Sequence, residues 1–169
     1  MIEVLFRGLA VDRAAARFLA PWYIGMPLGM LAAVQALGGR TATLLLIATV
    51  VVSDSAQFYT GRAFGRRPLA PAISPKKTIE GAVGGIVVAT IFITLLGPSV
   101  FPLAQRASLA ALGVAIVVLG ICGDLFESRL KRTSGVKDSS TLIPGHGGIL
   151  DRIDALLFAA PAYYFYLQV

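Results

Sequence analysis

The chain has 169 residues, of which 56% are hydrophobic and 14% are charged, whereas an ordinary soluble domain carries about 25% charged residues. This composition excludes an ordinary soluble globular domain, and the high hydrophobic fraction also excludes a disordered chain. Cys122 is the only cysteine, so a disulfide-stabilised scaffold is excluded as well. In such an apolar chain, the net charge of +6 indicates membrane orientation and anionic partners, with no nucleic acid expected.

Five apolar stretches predict transmembrane helices, since about 20 apolar residues are enough to span a bilayer. In chain order they cover residues 18–37, 42–59, 79–97, 107–125 and 149–167. Residues 1–17 contain too many charges for the apolar core of a signal peptide, and they fit an interfacial amphipathic helix better. We therefore predict an all-α, polytopic helical membrane protein with about five transmembrane helices, which forms a single membrane-embedded domain over residues 1–169.

The positions of the basic residues predict which side each connection occupies. Every Lys and Arg except Arg40 and Arg106 lies in the N-terminal segment or in the connections 60–78 and 126–152. Short cytoplasmic loops accumulate Lys and Arg, so the N-terminus and both of these connections are expected in the cytoplasm and the C-terminus outside. Any chemistry is therefore expected to face the cytoplasm, and the arrangement suits a bacterial inner (plasma) membrane, with an organelle or the endoplasmic reticulum left open.

Several carboxylates lie close to these basic connections. Asp54 and Asp124 each precede a basic residue by about two helical turns, which places them at or inside the apolar layer. An acid at that depth is a candidate functional group, because burying it without a partner is costly. The alternative is structural ion pairing, which is open for Glu80 and Asp154, and for Glu127 with Lys131 at i+4.

The ligand chemistry of these acids suits one class of metal. Hard oxygen ligands beside many cations suit Mg²⁺ and a polyphosphate. A zinc site is disfavoured, because His146 is the only histidine and Cys122 the only thiol that could accompany it.

The connection 60–78 ends in Ser74-Pro75-Lys76-Lys77. Ser74 followed by Pro75 predicts a helix N-cap with proline at the first helical position. Lys76 and Lys77 would then lie in the first turn, where the helix dipole disfavours cations, so we interpret this end as a phosphate site. The small residues that follow are expected to allow close helix packing. They are Gly81, Gly84 and Gly85.

The segment 123–154 carries the densest motif. It reads Ser128-x-Leu130-Lys131-Arg132, then Lys137-Asp138, then Pro144-x-His146-Gly147-Gly148-x-x-Asp151-Arg152-x-Asp154. This pattern resembles the signature of the phosphatidate cytidylyltransferase family, also called CDP-diglyceride synthases. The resemblance continues upstream through Ser53-Asp54, Gly61-Arg62 and Ser74-Pro75-Lys76-Lys77-Thr78-x-Glu80-Gly81.

The resemblance implies a nucleotidyltransferase that joins CTP and phosphatidate into CDP-diacylglycerol and releases pyrophosphate in the presence of Mg²⁺. It implies that Asp124 and Asp151 are metal ligands, and a second metal or a monovalent ion is left open. The residues expected to carry the reaction are Asp124, Lys131, Arg132, Lys137, Asp138, Asp151 and Arg152. Those expected to contact substrate are Ser74, Lys76, Lys77, Ser128, His146, Gly147 and Gly148.

Other interpretations remain open at this point. A CTP-dependent lipid or polyprenol kinase would share the nucleotide and the membrane site, and would release CDP instead of pyrophosphate. A truncated non-catalytic subunit or a small transporter would use the acids to bind ions or partners. Members of the family usually have several more helices upstream, so we expect either a short form, with a homodimer to complete the lipid cavity, or a fragment.

Overall fold

The computed structural model describes residues 21–133, 135–136, 139–140 and 148–168. Four helices form its body: α1 (Met26–Phe64), α2 (Ile79–Leu96), α3 (Arg106–Thr133) and α4 (Leu150–Tyr166). A π-helical turn, Pro21–Gly25, precedes α1, and a 3₁₀ turn, Gly97–Ser99, follows α2. Between α1 and α2 lies a short antiparallel hairpin of β1 (Pro68–Ala70) and β2 (Ser74–Thr78). The predicted helical architecture is confirmed, with this hairpin as an addition.

Three helical stretches among the described residues are long and apolar enough to cross a membrane: Pro21–Phe64, Ile79–Ser99 and Arg106–Thr133. Together with the apolar composition, they identify an integral membrane protein. Helix α4 matches the fifth predicted stretch closely but has only 17 residues. The predicted number of five spans is therefore not confirmed, and the proposed interfacial helix at 1–17 lies outside the described residues.

Helix α1 is interrupted at Gly39, whose backbone has φ 70° and ψ −172°. The two arms on either side, 26–38 and 40–64, run in opposite directions along α4. Tyr23, just before the first arm, contacts Phe158 in the middle of α4, whereas Gly38 lies against Leu167 at its end. The second arm begins beside that end, where the Tyr163 hydroxyl donates to the carbonyl of Ala42. The chain therefore reverses at Gly39.

The second arm of α1 packs closely against α2 through the predicted small residues. A side chain at Gly84 would collide with Thr60, and one at Gly85 would collide with Gln57. In lipid, helices associate largely through such close contacts, because the surrounding acyl chains are as apolar as the helix faces. The prediction that Gly81, Gly84 and Gly85 serve helix packing is confirmed.

Two local predictions about the basic connections are wrong. Ser74 does not cap a helix, because residues Ser74–Thr78 form β2 and the cap of α2 is Thr78, whose hydroxyl accepts from the Gly81 amide. Proline disfavours a helical conformation in the residue before it, which suits Ser74 to an extended strand as well as to a cap. The second connection also begins later than predicted, since α3 continues through Thr133.

Glu80 fixes the hairpin at its base. One of its carboxylate oxygens accepts the backbone N–H groups of Arg66 at 3.0 Å and Arg67 at 3.2 Å. The Ile79 amide donates to the carbonyl of Arg67 at 2.9 Å, which closes the same turn. The start of α2 therefore holds the chain that leads into β1, and with it the position of the hairpin.

Replacing Gly39 by alanine tests the reversal in α1. The φ and ψ of Gly39 fall in a region that is essentially restricted to glycine, so Gly39→Ala is expected to reduce the free energy of unfolding by about 1–3 kcal/mol. Gly29→Ala is the matched control, because a Cβ at either position meets no atom within 4 Å but Gly29 lies in a regular helical arm. Denaturant titration in detergent measures both, and equal stability of the two variants would contradict the reversal.

Replacing Glu80 by alanine tests the anchoring of the hairpin. Without the carboxylate, the backbone at Arg66 and Arg67 loses its acceptor, so trypsin should cleave the Arg66–Arg67 bond several times faster than in the wild type. The next bond, Arg67–Pro68, resists trypsin and does not contribute. Ser99→Ala, which removes a hydrogen bond at the far end of α2, serves as the control and should leave the cleavage rate unchanged. An unchanged rate in Glu80→Ala would show that Glu80 does not anchor the hairpin.

Candidate active site

A cavity of about 580 Å³ with several charged side chains in its wall lies where α1, α2, α3, α4 and the hairpin meet. Each of the four helices and strand β2 contributes residues from its own sequence motif to the cavity wall. The residues that line it are Asp54, Gln57, Phe58, Gly61, Arg62, Ser74, Lys76, Lys77, Thr78, Gly81, Ala82, Asp124, Lys131, Asp151, Arg152 and Asp154. Four carboxylates and five cations therefore share one cavity, at the end of the helices where most basic residues lie.

The structure brings together most of the described residues that the sequence predicted for the site. Ser74, Lys76 and Lys77 come from β2, Asp124 and Lys131 from α3, and Asp151 and Arg152 from α4. The following residues lie outside the described part of the chain, so their predicted roles stay predictions. They are Lys137, Asp138, His146 and Gly147.

Three predicted residues lie among the described ones without lining the cavity. Ser128 supports it, because its hydroxyl donates to Asp124 Oδ1 at 3.2 Å. The Gly148 amide donates to Asp151 Oδ2 at 2.7 Å. Arg132 is exposed in the last turn of α3, and its predicted role in the reaction stays a prediction.

Asp124 lies at the contact between α3 and the hairpin. Its Oδ2 forms an ion pair with Lys77 of β2. The neighbouring Gly123 lets α3 approach α4, since a Cβ there would meet the Asp154 carbonyl at 2.6 Å. Asp124 therefore pairs with a lysine of β2 and lies next to the point where α3 contacts α4, and Asp54 and Asp154 line the same cavity.

Both carboxylate oxygens of Asp151 accept hydrogen bonds from described residues. Lys131 Nζ lies 2.6 Å from Oδ1. Its Oδ2 accepts the Ser139 amide at 3.0 Å, the Ser139 hydroxyl at 2.7 Å and the Gly148 amide. Asp151 therefore connects the C-terminal turns of α3, the connection that follows and the first turn of α4.

The predicted site residues leave out three groups that line the cavity or lie beside a residue of its wall. Gln57 lines the cavity, and its side-chain amide donates to Asp54 Oδ1 at 3.2 Å. Its position one turn after Asp54 was the available signal. Thr78 fits between Gly61 and Gly81, where its hydroxyl would be about 3.0 Å from a Cβ added to either glycine. Glu127 is fully buried beside Lys131.

The carboxylates of the cavity meet part of what a divalent cation requires. Carboxylate oxygens are the ligands Mg²⁺ prefers, and Asp54, Asp124 and Asp154 all reach the cavity. No group of three or more potential ligands is close enough to form a complete metal site within the described residues. The chemistry therefore fits a cation held by few carboxylates and completed by substrate phosphates, and Asp124 fits as a ligand if Lys77 moves away.

The comparisons with known proteins point to one family. A model of the cytidylyltransferase family matches residues 5–169. The phosphatidate cytidylyltransferase of Haemophilus influenzae is 48% identical over 133 residues, which cover 75% of this chain and 46% of that protein. The Bacillus subtilis protein of the same name is 40% identical over 158 residues, covering 89% of this chain and 57% of its own.

A third relative carries no assigned activity. It is the uncharacterized protein YnbB of Escherichia coli K12, 44% identical over 131 residues, which cover 78% of this chain and 44% of YnbB. The chain thus spans about half the length of the curated relatives it matches. Because the family match runs over nearly the whole chain and includes every residue of the cavity, the chain belongs to the cytidylyltransferase family.

Proposed function

We propose that the chain carries the catalytic region of an enzyme that transfers CMP from CTP to phosphatidate, giving CDP-diacylglycerol and pyrophosphate. The observation that carries this proposal is the shared cavity, in which cations from four elements surround four carboxylates. Phosphate transfer needs charge neutralisation and alignment of the reacting groups, and little else from the protein. The relatives named phosphatidate cytidylyltransferase support the choice of substrates.

In the proposed reaction, an oxygen of the phosphatidate phosphate attacks the α-phosphorus of CTP. A new P–O bond forms there while the bond to the bridging oxygen breaks, and pyrophosphate leaves with that electron pair. Lys76, Lys77, Lys131 and Arg152 would neutralise the triphosphate and the lipid phosphate from the cavity wall. No side-chain nucleophile is required, since the attacking oxygen belongs to the lipid.

We also propose that Asp124 and Asp151 hold Mg²⁺, with the second or monovalent ion still a prediction. When bound, Mg²⁺ polarises phosphate oxygens and stabilises the leaving pyrophosphate. Asp124 would exchange Lys77 for the cation, and Asp151 would exchange Lys131. Among the described residues, Asp151 Oδ1 is otherwise contacted by the Ser139 amide, at the longer distance of 3.4 Å. The remaining donors to Asp151 Oδ2 would keep that carboxylate in place.

For the membrane arrangement, we propose five crossings with the N-terminus and the cavity on the cytoplasmic side. The reversal at Gly39 supports this proposal, because it divides α1 into two arms that run in opposite directions along α4. The cavity cations lie at one end of the helices, while Arg40 and Arg106 lie at the other. A bacterial inner membrane and a homodimer stay predictions of the sequence.

Substituting the two proposed metal ligands tests the activity. Purified wild type should convert labelled CTP and phosphatidate into CDP-diacylglycerol and pyrophosphate, and Asp124→Asn and Asp151→Asn should each lose activity by about 100-fold or more, the loss typical for removing one electrostatic contact at a transition state. Glu3→Gln, before the residues matched by the family, is the control and should remain active. Release of CDP with a phosphorylated lipid would instead indicate a kinase, and full activity in both variants would contradict the proposed site.

Labelling of single cysteines tests the membrane arrangement. In a Cys122→Ser background, Leu103→Cys lies between α2 and α3, where the native side chain is 99% exposed, and Ala63→Cys lies at the cavity end of α1. A maleimide that cannot cross membranes should label position 103 in intact cells and position 63 only after permeabilisation. The opposite pattern would overturn the proposed orientation.

A further inference from the structure

Glu127 is a fully buried carboxylate on α3, with 0% of its surface exposed. It does not line the cavity. Among the described residues, neither carboxylate oxygen has a hydrogen-bond partner, and Oε2 forms an ion pair with Lys131 Nζ, which lies 2.6 Å away and one helical turn further along α3. A buried charge is costly unless it is paired. The ion pair with the Lys131 ammonium is the contact that offsets the cost of burying Glu127. Among the described residues that line the cavity, Lys131 is the one that forms an ion pair with Glu127.

Lys131 lies between two carboxylates. Its Nζ is 2.6 Å from Glu127 Oε2 and 2.6 Å from Asp151 Oδ1, and only 13% of its side chain is exposed. An ammonium group has three N–H donors and no acceptor. One donor forms a hydrogen bond with Asp151 Oδ1, and the contact with Glu127 is an ion pair. The ammonium therefore keeps an N–H group for a ligand in the cavity that Lys131 lines.

The two carboxylates are not equivalent as partners of Lys131. Asp151 is fixed from its other oxygen by the Ser139 hydroxyl and the Gly148 amide. Glu127 is fixed by burial on the same helix as Lys131. If Asp151 turns to a cation or a substrate, Glu127 is the partner that still holds the ammonium in place.

We propose that Glu127 is a positioning residue that holds the Lys131 ammonium at the cavity wall by their ion pair, so that an N–H of that ammonium binds a phosphate oxygen of the nucleotide. The identity of the nucleotide rests on the proposed function. The positioning itself can be tested by binding, without turnover.

The test measures CTP binding to the purified full chain in detergent, by calorimetry, for the wild type and for Glu127→Gln. Glutamine keeps the shape of the side chain and removes its charge, so the Kd for CTP should rise about tenfold, within the range for a hydrogen bond to a charged group. In a Lys131→Met background, Glu127→Gln should cause no further rise, because the group through which it acts is gone. If Glu127 has only a structural role, the factors by which the two substitutions raise the Kd for CTP should multiply in the double variant.

Two further variants keep the outcome decisive. Glu127→Asp keeps the charge but withdraws it by one methylene, so it should show an intermediate Kd even if Glu127→Gln fails to fold. Glu3→Gln removes a charge outside the family match and should bind CTP like the wild type. Unfolding temperatures measured alongside show which variants are folded.

The inference is overturned if the folded Glu127→Gln protein binds CTP as tightly as the wild type, or if its loss multiplies with that of Lys131→Met. If Glu127→Gln does not fold, the inference is overturned instead by a Glu127→Asp protein that binds CTP with wild-type affinity. If the wild type binds CTP but forms no CDP-diacylglycerol, the proposed function fails while the binding comparison still decides the role of Glu127. A wild type that does not bind CTP overturns both.

Discussion

The rest of the structure depends on the cost of placing charges at the edge of an apolar layer. Carboxylates there need partners, and in this protein the partners come from other segments of the chain. Lys77 of β2 pairs with Asp124 of α3, and Lys131 of α3 pairs with Asp151 of α4. Each ion pair therefore also connects two elements, so the charges that would act on a substrate are the same ones that assemble the cavity.

Close helix packing brings these charges within reach of one another. Gly84 and Gly85 allow α2 to lie against the second arm of α1, and Gly123 allows α3 to lie against α4. In lipid, such contacts replace the hydrophobic effect as the main source of helix association. The glycine beside Asp124 thus has a direct consequence for the site, because it sets the separation between that carboxylate and Asp154 on the facing helix.

Much of this arrangement could be predicted from the sequence, and the limits have physical reasons. The apolar stretches predicted the positions of α2, α3 and α4, because lipid imposes length and composition on a span. Ser74-Pro75 was misinterpreted, since an extended residue before proline suits a strand as well as a helix cap. For Lys131, spacing predicted the pairing with Glu127 at i+4, but the second pair with Asp151 requires the fold.

That difference changes how the basic residues at the site should be understood. The number of lysines in the sequence suggests a set of unpaired cations that are available to bind phosphate. Instead, Lys77 and Lys131 already hold carboxylates. Phosphate groups entering the cavity would meet ammonium groups whose positions are fixed, and they would compete with carboxylates for the same donors. A cation that enters with the nucleotide would relieve this competition by taking over the carboxylates, so nucleotide and metal should bind together more strongly than either binds alone.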